Sequence, residues 1–255
     1  MNNNFVTNKY RDYNIYFPQN SKTTETLELS KKIIDKNYKI LQIFKDTERN
    51  FVAKIEIDTK IFILKSPKAE TIIPLRKIQT FFKKGEALES LVNLSQLVNE
   101  GYYFFVPPIA VIVKKKIFIQ ESFILMNFLE NVASTYTSEF VAEAIKLANI
   151  MHKHGIYHGD LNISNFLNTA NGVKVIDTQG KKDCFSNFKR SYDYLTLKQD
   201  KLPNQLGFNI DTYLKINKHT LGYFLAYLIK EFKYLPFIIK IRNFKKILRE
   251  KGWKI

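Results

Sequence analysis

The sequence has a single cysteine, few glycines and no long uncharged apolar run. That cysteine, Cys184, excludes a disulfide within the chain and favours a reducing compartment. No apolar segment reaches the roughly 20 residues that span a bilayer, because Pro107 and Pro108 interrupt the longest candidate, residues 101–113. The first residues lack the basic, then apolar, then small-residue order of a signal peptide. We therefore expect a cytoplasmic protein without a transmembrane helix.

Acidic residues are scarce relative to basic ones. The chain has 24 Asp and Glu against 40 Lys and Arg, which gives a formal net charge of +16. Such a charge attracts anionic partners such as nucleic acid, acidic lipid or a phosphorylated glycolipid. A compositional bias is the other explanation, because Lys, Asn and Ile are abundant along the whole chain. With 255 residues, the chain can bury a full core in one large domain or in two lobes.

Two carboxylates and one carboxamide are closely spaced in the second half of the chain. Asp160 and Asn165 are five residues apart on one loop, and Asp177 follows the next apolar segment. Strands paired as a hairpin across residues 168–172 would bring Asn165 and Asp177 together. One carboxylate and one amide oxygen could then hold Mg²⁺, while Asp160 accepts a proton from an attacking hydroxyl. The spacing predicts a phosphoryl-transfer site; an ordinary hairpin with polar turns is the alternative.

These segments resemble the motifs of the protein-kinase-like superfamily. Residues 158–165 read H-G-D-L-x-x-x-N, which is similar to the catalytic loop H-R-D-L-x-x-x-N, and residues 177–180 read D-T-Q-G in the place of D-F-G. Gly159 replaces the Arg that regulated protein kinases use, and this variant looks like small-molecule kinases. The resemblance implies Asp160 as the catalytic base and Asn165 and Asp177 as magnesium ligands. The further structural or substrate candidates are His158, which would brace the loop, Asn162 and Lys181.

A second set of residues is implied to bind ATP. Lys65 ends an apolar strand, as the phosphate-binding Lys of V-A-I-K does, and Glu86 on the following helix would pair with it. Glu89 is the other candidate for that pairing. Met126 and Phe128, at a hinge between the lobes, would line the adenine pocket. The loop before Lys65 contains no glycine, so fewer backbone N–H groups can approach the phosphates closely.

The hydrophobic pattern and this resemblance predict an α+β, two-lobed protein-kinase-like fold, with an antiparallel sheet in the N-lobe and a mainly helical C-lobe. Residues 1–126 would form the N-lobe and residues 127–255 the C-lobe of one kinase-like domain. The N-lobe would hold an extended lead-in, five strands and one helix beside Lys65. The C-lobe would hold the hinge, the catalytic loop, helices and a basic tail. The predicted strands of the N-lobe are residues 38–44, 51–58, 60–65, 109–113 and 117–126, and the predicted helices are 23–37, 81–99 and 138–154, the last with Ser138 as its N-cap.

Shorter motifs flank these segments. They are Pro67-Lys68 after the Lys65 strand, Phe82-Lys83-Lys84-Gly85-Glu86 at a helix start, Met151-His152 before the loop, Asn165-Phe166 within it and residues 175–181 after it. Over residues 38–190 the chain thereby resembles the bacterial lipopolysaccharide core heptose(II) kinase family. The positions that depart from the usual pattern of that family are Leu161, Asn162, Thr178 and Gln179.

This family resemblance implies a function, a partner and a location. The enzyme would use ATP and Mg²⁺ to phosphorylate a heptose of the lipopolysaccharide inner core. It would lie peripherally on the anionic inner face of the inner membrane, where its charge helps it to meet a glycolipid acceptor. A basic amphipathic helix over residues 237–251, with Trp253 at the headgroup level, would aid this contact. A terminal helix packed on the C-lobe is the alternative.

Two other functions remain open on the sequence alone. The first is a kinase for another small-molecule or sugar acceptor, which the same catalytic residues would serve. The second is a catalytically silent kinase-like binding module, which the missing glycine loop favours and the four residues Lys65, Asp160, Asn165 and Asp177 disfavour. Nucleic acid is not an expected partner, because no aromatic platform for stacking bases can be located. The oligomeric state is not predicted.

Overall fold

A computed structural model of the chain describes residues 5–19, 21–131, 136–183 and 186–250. The chain divides into two units, which we call unit 1 (Met1–Leu129) and unit 2 (Glu130–Ile255). This division falls three residues after the lobe boundary that the sequence predicts. Cys184 and Trp253 lie outside the described residues.

Unit 1 is built on a seven-stranded antiparallel sheet with helices. The strand order across the sheet is β1-β2-β6-β7-β5-β4-β3. The strands are β1 (Phe5–Tyr10), β2 (Tyr13–Pro18), β3 (Lys39–Asp46), β4 (Phe51–Ile57), β5 (Lys60–Ser66), β6 (Ala110–Lys115) and β7 (Ile119–Asn127). The helices are α1 (Thr23–Ile34), α2 (Ala69–Ile72), α3 (Pro74–Phe82) and α4 (Glu86–Asn99).

The prediction of five strands is wrong, because the lead-in contributes two more. β1 and β2 form an antiparallel hairpin, and β2 pairs with β6. Ile15 and Phe17 alternate with polar or half-buried neighbours and are 0% exposed, so the hairpin supplies part of the core. Buried and less buried residues therefore alternate along β2. The sequence does not show this clearly, because aromatic residues occupy both the buried and the half-buried positions.

Apolar side chains cover both faces of the sheet. On one face, α1 packs its buried Leu29 and Ile33 against the strands. On the other face, α4 packs Ala87 and Leu91. Each fully buried leucine or isoleucine side chain contributes about 1.5–3 kcal/mol relative to exposure. The two helices are thus fixed to opposite faces of the sheet.

The predicted helix over residues 81–99 is two helices with a break between them. α3 ends at Phe82 and α4 begins at Glu86. Gly85, at φ +88°, leads into α4 in a conformation that L side chains rarely adopt. The buried carboxylate of Glu70 accepts a hydrogen bond from the Glu86 backbone N–H at 2.6 Å, and burial raises the pKa of this carboxyl. A residue 16 positions away in sequence therefore caps the start of α4.

Unit 2 is mainly helical and contains two small antiparallel sheets, β8 with β11 and β9 with β10. The N-cap of its first helix is Thr137, whose side chain accepts a hydrogen bond from the Phe140 N–H at 3.3 Å, and the predicted cap Ser138 is the first helical residue. The α+β prediction is confirmed. The helices are α5 (Ser138–Lys153), α6 (Phe188–Lys198), α7 (Lys201–Gln205), α8 (Ile210–Tyr213), α9 (Leu221–Phe232) and α10 (Pro236–Glu250). The strands are β8 (Ile156–Tyr157), β9 (Phe166–Thr169), β10 (Gly172–Val175) and β11 (Lys181–Lys182).

Candidate active site

The hairpin that the sequence predicts after the catalytic loop is present in unit 2. Its strands β9 and β10 pair with Phe166 opposite Val175. One residue beyond this pair, the Ile176 backbone N–H donates to the Asn165 carbonyl oxygen at 2.9 Å. Asn165 and Asp177 therefore lie at the same end of the hairpin. Asp177 is exposed and has a left-handed backbone, φ +57°, so the chain turns sharply at this carboxylate.

Two side-chain amides hold the loop around Asp160. The Nδ2 groups of Asn165 and Asn162 donate to the Asp160 carbonyl oxygen at 2.7 Å and 3.1 Å. The Asp160 carboxylate itself belongs to an exposed residue. The amides thus fix the backbone of the loop and leave the carboxylate accessible to a reacting hydroxyl. This accessibility is what a general base requires.

The donor atoms at this end of the hairpin are of the kind that a magnesium ion takes. Because Asn165 uses its Nδ2 group to anchor the loop, its Oδ1 oxygen is available, and no hydrogen bond within the described residues engages it. Asp177 adds carboxylate oxygens. In the part of the chain that the structure describes, no group of three or more His, Cys, Asp or Glu side chains could hold a metal. Mg²⁺ suits such a sparse oxygen set, because it keeps several waters and takes only one or two carboxylates.

His158 connects the catalytic loop to the strand that precedes Asp177. Its ring is buried. The Nε2–H group donates to the Ile176 carbonyl oxygen at 2.9 Å, and Nδ1 accepts from the Asp160 backbone N–H at 3.3 Å. This pair of bonds requires the neutral ring, and burial lowers the pKa of His158, which favours the same form. The contacts suit a residue that braces the loop.

A buried carboxylate that the sequence analysis missed anchors the loop from the other side. Asp193, on α6, is 0% exposed and accepts hydrogen bonds from the backbone N–H groups of His158 and Gly159, the latter at 2.9 Å. Gly159 has φ +95°, so a glycine suits this position better than the Arg of regulated kinases. The available signal was an acidic residue on the inward face of α6, one turn before the buried Leu197.

The segment after Asp177 is tied back to the start of the loop. The Thr178 hydroxyl donates to the His158 carbonyl oxygen at 3.1 Å and accepts from the Gly180 N–H at 3.1 Å. Lys181 then pairs with Tyr157 in the sheet of β8 and β11. The predicted substrate candidate Lys181 thus follows directly from the turn at Asp177. Thr178, one of the departures from the family pattern, holds this turn in place.

The predicted nucleotide-binding residues lie in unit 1. Lys65 is opposite Ile124 in the pairing of β5 with β7, and Ile63 is opposite Met126. Directly opposed residues share a face of the sheet, and Ile124 and Met126 pack against α4. Lys65 and Met126 therefore lie on the α4 face of the sheet.

The remaining nucleotide candidates have contacts of their own within unit 1. Glu86 forms an ion pair with Arg76 at 3.9 Å, at the first turn of α4. The half-buried Phe128 has the Lys54 ammonium 4.0 Å from its ring centroid. The pairing of Lys65 with Glu86 or with Glu89 stays a prediction.

Several known proteins are similar to this chain. The WaaY protein of Escherichia coli (strain K12), a lipopolysaccharide core heptose(II) kinase, is 23% identical over 255 residues, covering 95% of this chain and 97% of the relative. The crystal structure of the M. tuberculosis PknI kinase domain covers 72% of this chain and 76% of that domain, with 11% identity and a TM-score of 0.41. The family model described as lipopolysaccharide core biosynthesis protein (WaaY) matches residues 5–233. Since this match extends over most of both units, the chain belongs to the lipopolysaccharide core biosynthesis (WaaY) family.

Proposed function

We propose that this chain is an ATP-dependent kinase that phosphorylates a hydroxyl group of a heptose in the lipopolysaccharide inner core. Its membership of the WaaY family supports this function, as does a relative named heptose(II) kinase that it matches over nearly the full length of both chains. The observation that carries the proposal is the loop geometry. An exposed Asp160 carboxylate stands on a backbone that Asn165, His158 and Asp193 fix from three sides.

In this proposal the loop residues of unit 2 perform the transfer. Asp160 orients the heptose hydroxyl and accepts its proton as the γ-phosphoryl group moves to the oxygen. Asn165 and Asp177 hold Mg²⁺, which neutralises charge on the phosphate oxygens when bound. His158 stays neutral and keeps the Asp160 backbone in place. Most of the rate then comes from positioning and charge neutralisation.

The residues of unit 1 hold the nucleotide. Lys65 binds the phosphates of ATP, Glu86 orients Lys65, and Met126 and Phe128 contact the adenine. The turn between β3 and β4 has no glycine, and its Thr47 N–H group already donates to the Asn50 carbonyl oxygen at 2.9 Å. That backbone group is therefore engaged within the turn. Lys65 consequently carries a larger share of phosphate binding than in kinases with a glycine-rich loop.

The proposed location is the inner face of the inner membrane, with peripheral attachment through α10. None of the helices within the described residues is long and apolar enough to span a bilayer. The side chains of Phe237, Ile241 and Phe244 share one face of α10 and are 70%, 36% and 60% exposed. This exposure favours a membrane surface over the alternative of a face packed on unit 2. The basic residues around that face are Lys240, Arg242, Lys245 and Lys246.

A transfer assay tests the proposed function. Purified protein is incubated with ATP, Mg²⁺ and dephosphorylated core oligosaccharide, and the product is weighed by mass spectrometry. We expect the product to gain the mass of one phosphoryl group. In Asp160→Asn the rate of transfer should fall by orders of magnitude. In Glu231→Gln, which removes an exposed carboxylate elsewhere in unit 2, the rate should stay normal. If the protein phosphorylates other sugars but not the core oligosaccharide, the proposed acceptor is wrong and the kinase activity stands. The absence of any thermal stabilisation by ATP and Mg²⁺ would instead indicate a silent binding module.

Vesicle binding tests the location. We expect the protein to sediment with anionic vesicles and to be released by salt, because surface charges are screened. Lys240→Gln combined with Lys245→Gln should weaken this binding. The same change at two exposed lysines of β3, Lys39 and Lys45, removes an equal charge from unit 1 and serves as the control. Equal loss in both variants would assign the binding to net charge and not to α10.

A further inference from the structure

An open cavity in unit 2 borders the catalytic loop. Its volume is about 500 Å³, and its walls include Asn162 and Ser164 of the loop and Lys230 of α9. Pockets for small molecules fall in the same size range. We propose that this cavity holds the acceptor saccharide and that Lys230 binds an anionic substituent on it. The inference rests on the proposed function and specifies the acceptor subsite of the same enzyme.

Lys230 is a buried cation whose contacts are incomplete. The residue is 7% exposed, its ammonium donates to the Gln199 Oε1 at 3.2 Å, and the same ammonium lies 4.6 Å from the centroid of the Tyr192 ring. Among the described residues, no carboxylate forms an ion pair with it. An ammonium has three donors, and burying it without a counter-charge costs free energy. An anionic ligand in the cavity would supply that counter-charge.

The electrostatic surroundings of Lys230 agree with this role. Burial lowers the pKa of Lys230, and the neighbouring Lys233 lowers it further, whereas the carboxylates of Asp160 and Asp193 raise it. The ammonium is therefore within electrostatic range of the proposed base. A phosphate or carboxylate on the acceptor would bind at Lys230, and this contact would orient the rest of the saccharide toward Asp160.

The other walls of the cavity suit a hydroxyl-rich ligand. Its polar lining includes Asn162, Ser164, Thr196 and Gln199. The Ser164 hydroxyl donates to Asn162 and the Thr196 hydroxyl donates to the Tyr192 carbonyl oxygen at 2.8 Å, so both hydroxyl oxygens can accept from a ligand. The side-chain amides of Asn162 and Gln199 keep N–H groups that can donate to it. Tyr136, 46% exposed, offers an aromatic ring against which the C–H groups of a sugar ring can pack.

The cavity wall is also part of the backbone that carries the base. Asn162 donates to the Asp160 carbonyl oxygen at 3.1 Å, so this wall and the base move together. Asp200, which also lines the cavity, accepts from the Ile163 N–H at 2.8 Å and from the Leu202 N–H at 3.1 Å. Asp200 thereby fixes the loop to the start of α7. Two hydrogen bonds, those of Asn162 and Ile163, therefore fix the position of the cavity lining relative to the catalytic loop.

Acceptor kinetics test the inference. Three acceptors are compared. The first is the core oligosaccharide with a phosphate group, the second is the same compound without the phosphate, and the third keeps the phosphate but has its carboxyl groups reduced. For Lys230→Met we expect the KM for the acceptor with the recognised anion to rise about tenfold or more. The KM values for ATP and for the acceptor without that anion should stay within about twofold. If the rise in KM disappears with the acceptor that lacks phosphate, Lys230 binds the phosphate. If it disappears with the carboxyl-reduced acceptor, Lys230 binds a carboxylate.

Lys233→Met is the matched control, because Lys233 lies on the same helix and also contacts the Tyr192 ring, at 4.8 Å, but does not line the cavity. Lys233 acts on Lys230 only through its charge, so we expect the acceptor KM values of Lys233→Met to stay within about twofold of those of the parent protein. If Lys230→Met does not fold, Leu202→Trp fills the cavity from α7, and it should raise the KM for every acceptor while ATP-induced thermal stabilisation is retained.

The outcomes separate the inference from the proposed function. If the parent protein phosphorylates core heptose but Lys230→Met, or Leu202→Trp in its place, leaves acceptor KM unchanged, the inference is wrong and the function stands. An equal rise for charged and uncharged acceptors in Lys230→Met would likewise overturn the anion contact. If the parent protein phosphorylates no core acceptor, both are wrong.

Discussion

The carboxylate of Asp193 accepts a hydrogen bond from the backbone N–H of Gly159 at 2.9 Å. Its second oxygen accepts from the N–H of His158. Both bonds are inaccessible to water on the side of α6, because Asp193 is fully buried. These two hydrogen bonds span 34 and 35 residues of sequence. Helix α6 therefore determines where the backbone next to Asp160 lies.

Removing the Asp193 carboxylate should therefore damage both stability and turnover. In Asp193→Ala, the two backbone N–H groups lose their acceptor, and we expect a loss of about 3 kcal/mol or more in the free energy of unfolding. Asp193→Asn keeps one acceptor oxygen and should lose less. In both variants kcat should fall strongly while the KM for ATP changes little, because the substitution displaces the catalytic loop and leaves the nucleotide contacts in place. Urea denaturation and steady-state kinetics measure these effects; an Asp193→Ala protein of unchanged stability would contradict the assigned role.

The buried His158 should make stability depend on pH. Burial lowers the pKa of His158 in the folded protein below its unfolded value of about 6.5. Between these two pKa values the unfolded chain binds more protons, so stability falls as the pH drops below about 6.5 and stops falling at the folded pKa. Each unit of pKa difference corresponds to about 1.4 kcal/mol. His158→Gln keeps a donor for the Ile176 carbonyl oxygen and should flatten this dependence.

Urea denaturation between pH 5 and 7.5, in the presence of a chelator, measures the effect. His219→Gln is the control, because His219 is exposed and its removal should leave the pH dependence as it is. Parallel curves for the parent protein and His158→Gln would show that another group causes the acid sensitivity.

Gly85→Ala should destabilise unit 1 for two reasons that a control can separate. A Cβ at Gly85 would lie 2.4 Å from the Ile119 Cδ1 and 3.1 Å from the Glu70 Oε2, and φ is +88°. At Gly101, φ is +96° but nothing lies within 4 Å of the added Cβ. We expect Gly101→Ala to cost about 1–2 kcal/mol from backbone strain alone, and Gly85→Ala to cost about 1–3 kcal/mol more from overpacking. Thermal denaturation compares them; equal costs would mean that the Ile119 side chain moves aside freely.

The magnesium requirement should depend on residues at one end of the hairpin only. Asp177→Asn and Asn165→Ala each remove an oxygen ligand of the proposed site, so the Mg²⁺ concentration for half-maximal activity should rise about tenfold or more. Asn171→Ala removes a similar amide from the opposite end of the same hairpin and should behave like the parent protein. Activity measured over a Mg²⁺ titration decides this. An unchanged titration in Asp177→Asn would remove that residue from the metal site.

Local patterns predicted much of this fold. The strands predicted at residues 38–44, 51–58 and 60–65 are found at Lys39–Asp46, Phe51–Ile57 and Lys60–Ser66, because their alternation of apolar residues follows the pleat. The break between α3 and α4 was missed, since the residue that caps α4 is distant in sequence. The predicted family is confirmed by the match over residues 5–233.

The sequence predicts the motifs of the candidate site, but it does not predict the residues of distant helices that contact them. The loop and hairpin follow from residue types at short spacing, which a sequence displays directly. Asp193 and Lys230 lie within helices that read as amphipathic, and their roles depend on what α6 and α9 pack against. Such contacts arise only when distant segments meet, so spacing alone cannot identify them.

The β1–β2 hairpin has a consequence for how the protein behaves when its beginning is lost. β2 covers the outer border of β6 by pairing Ile15 with Ile112, and four consecutive residues of β6, Ala110 to Val113, are buried. A chain that starts after residue 18 would present this apolar strand with unmatched amide and carbonyl groups, which recruit strands from other molecules. Proteolytic clipping of the first segment would thus create a strand edge that promotes self-association.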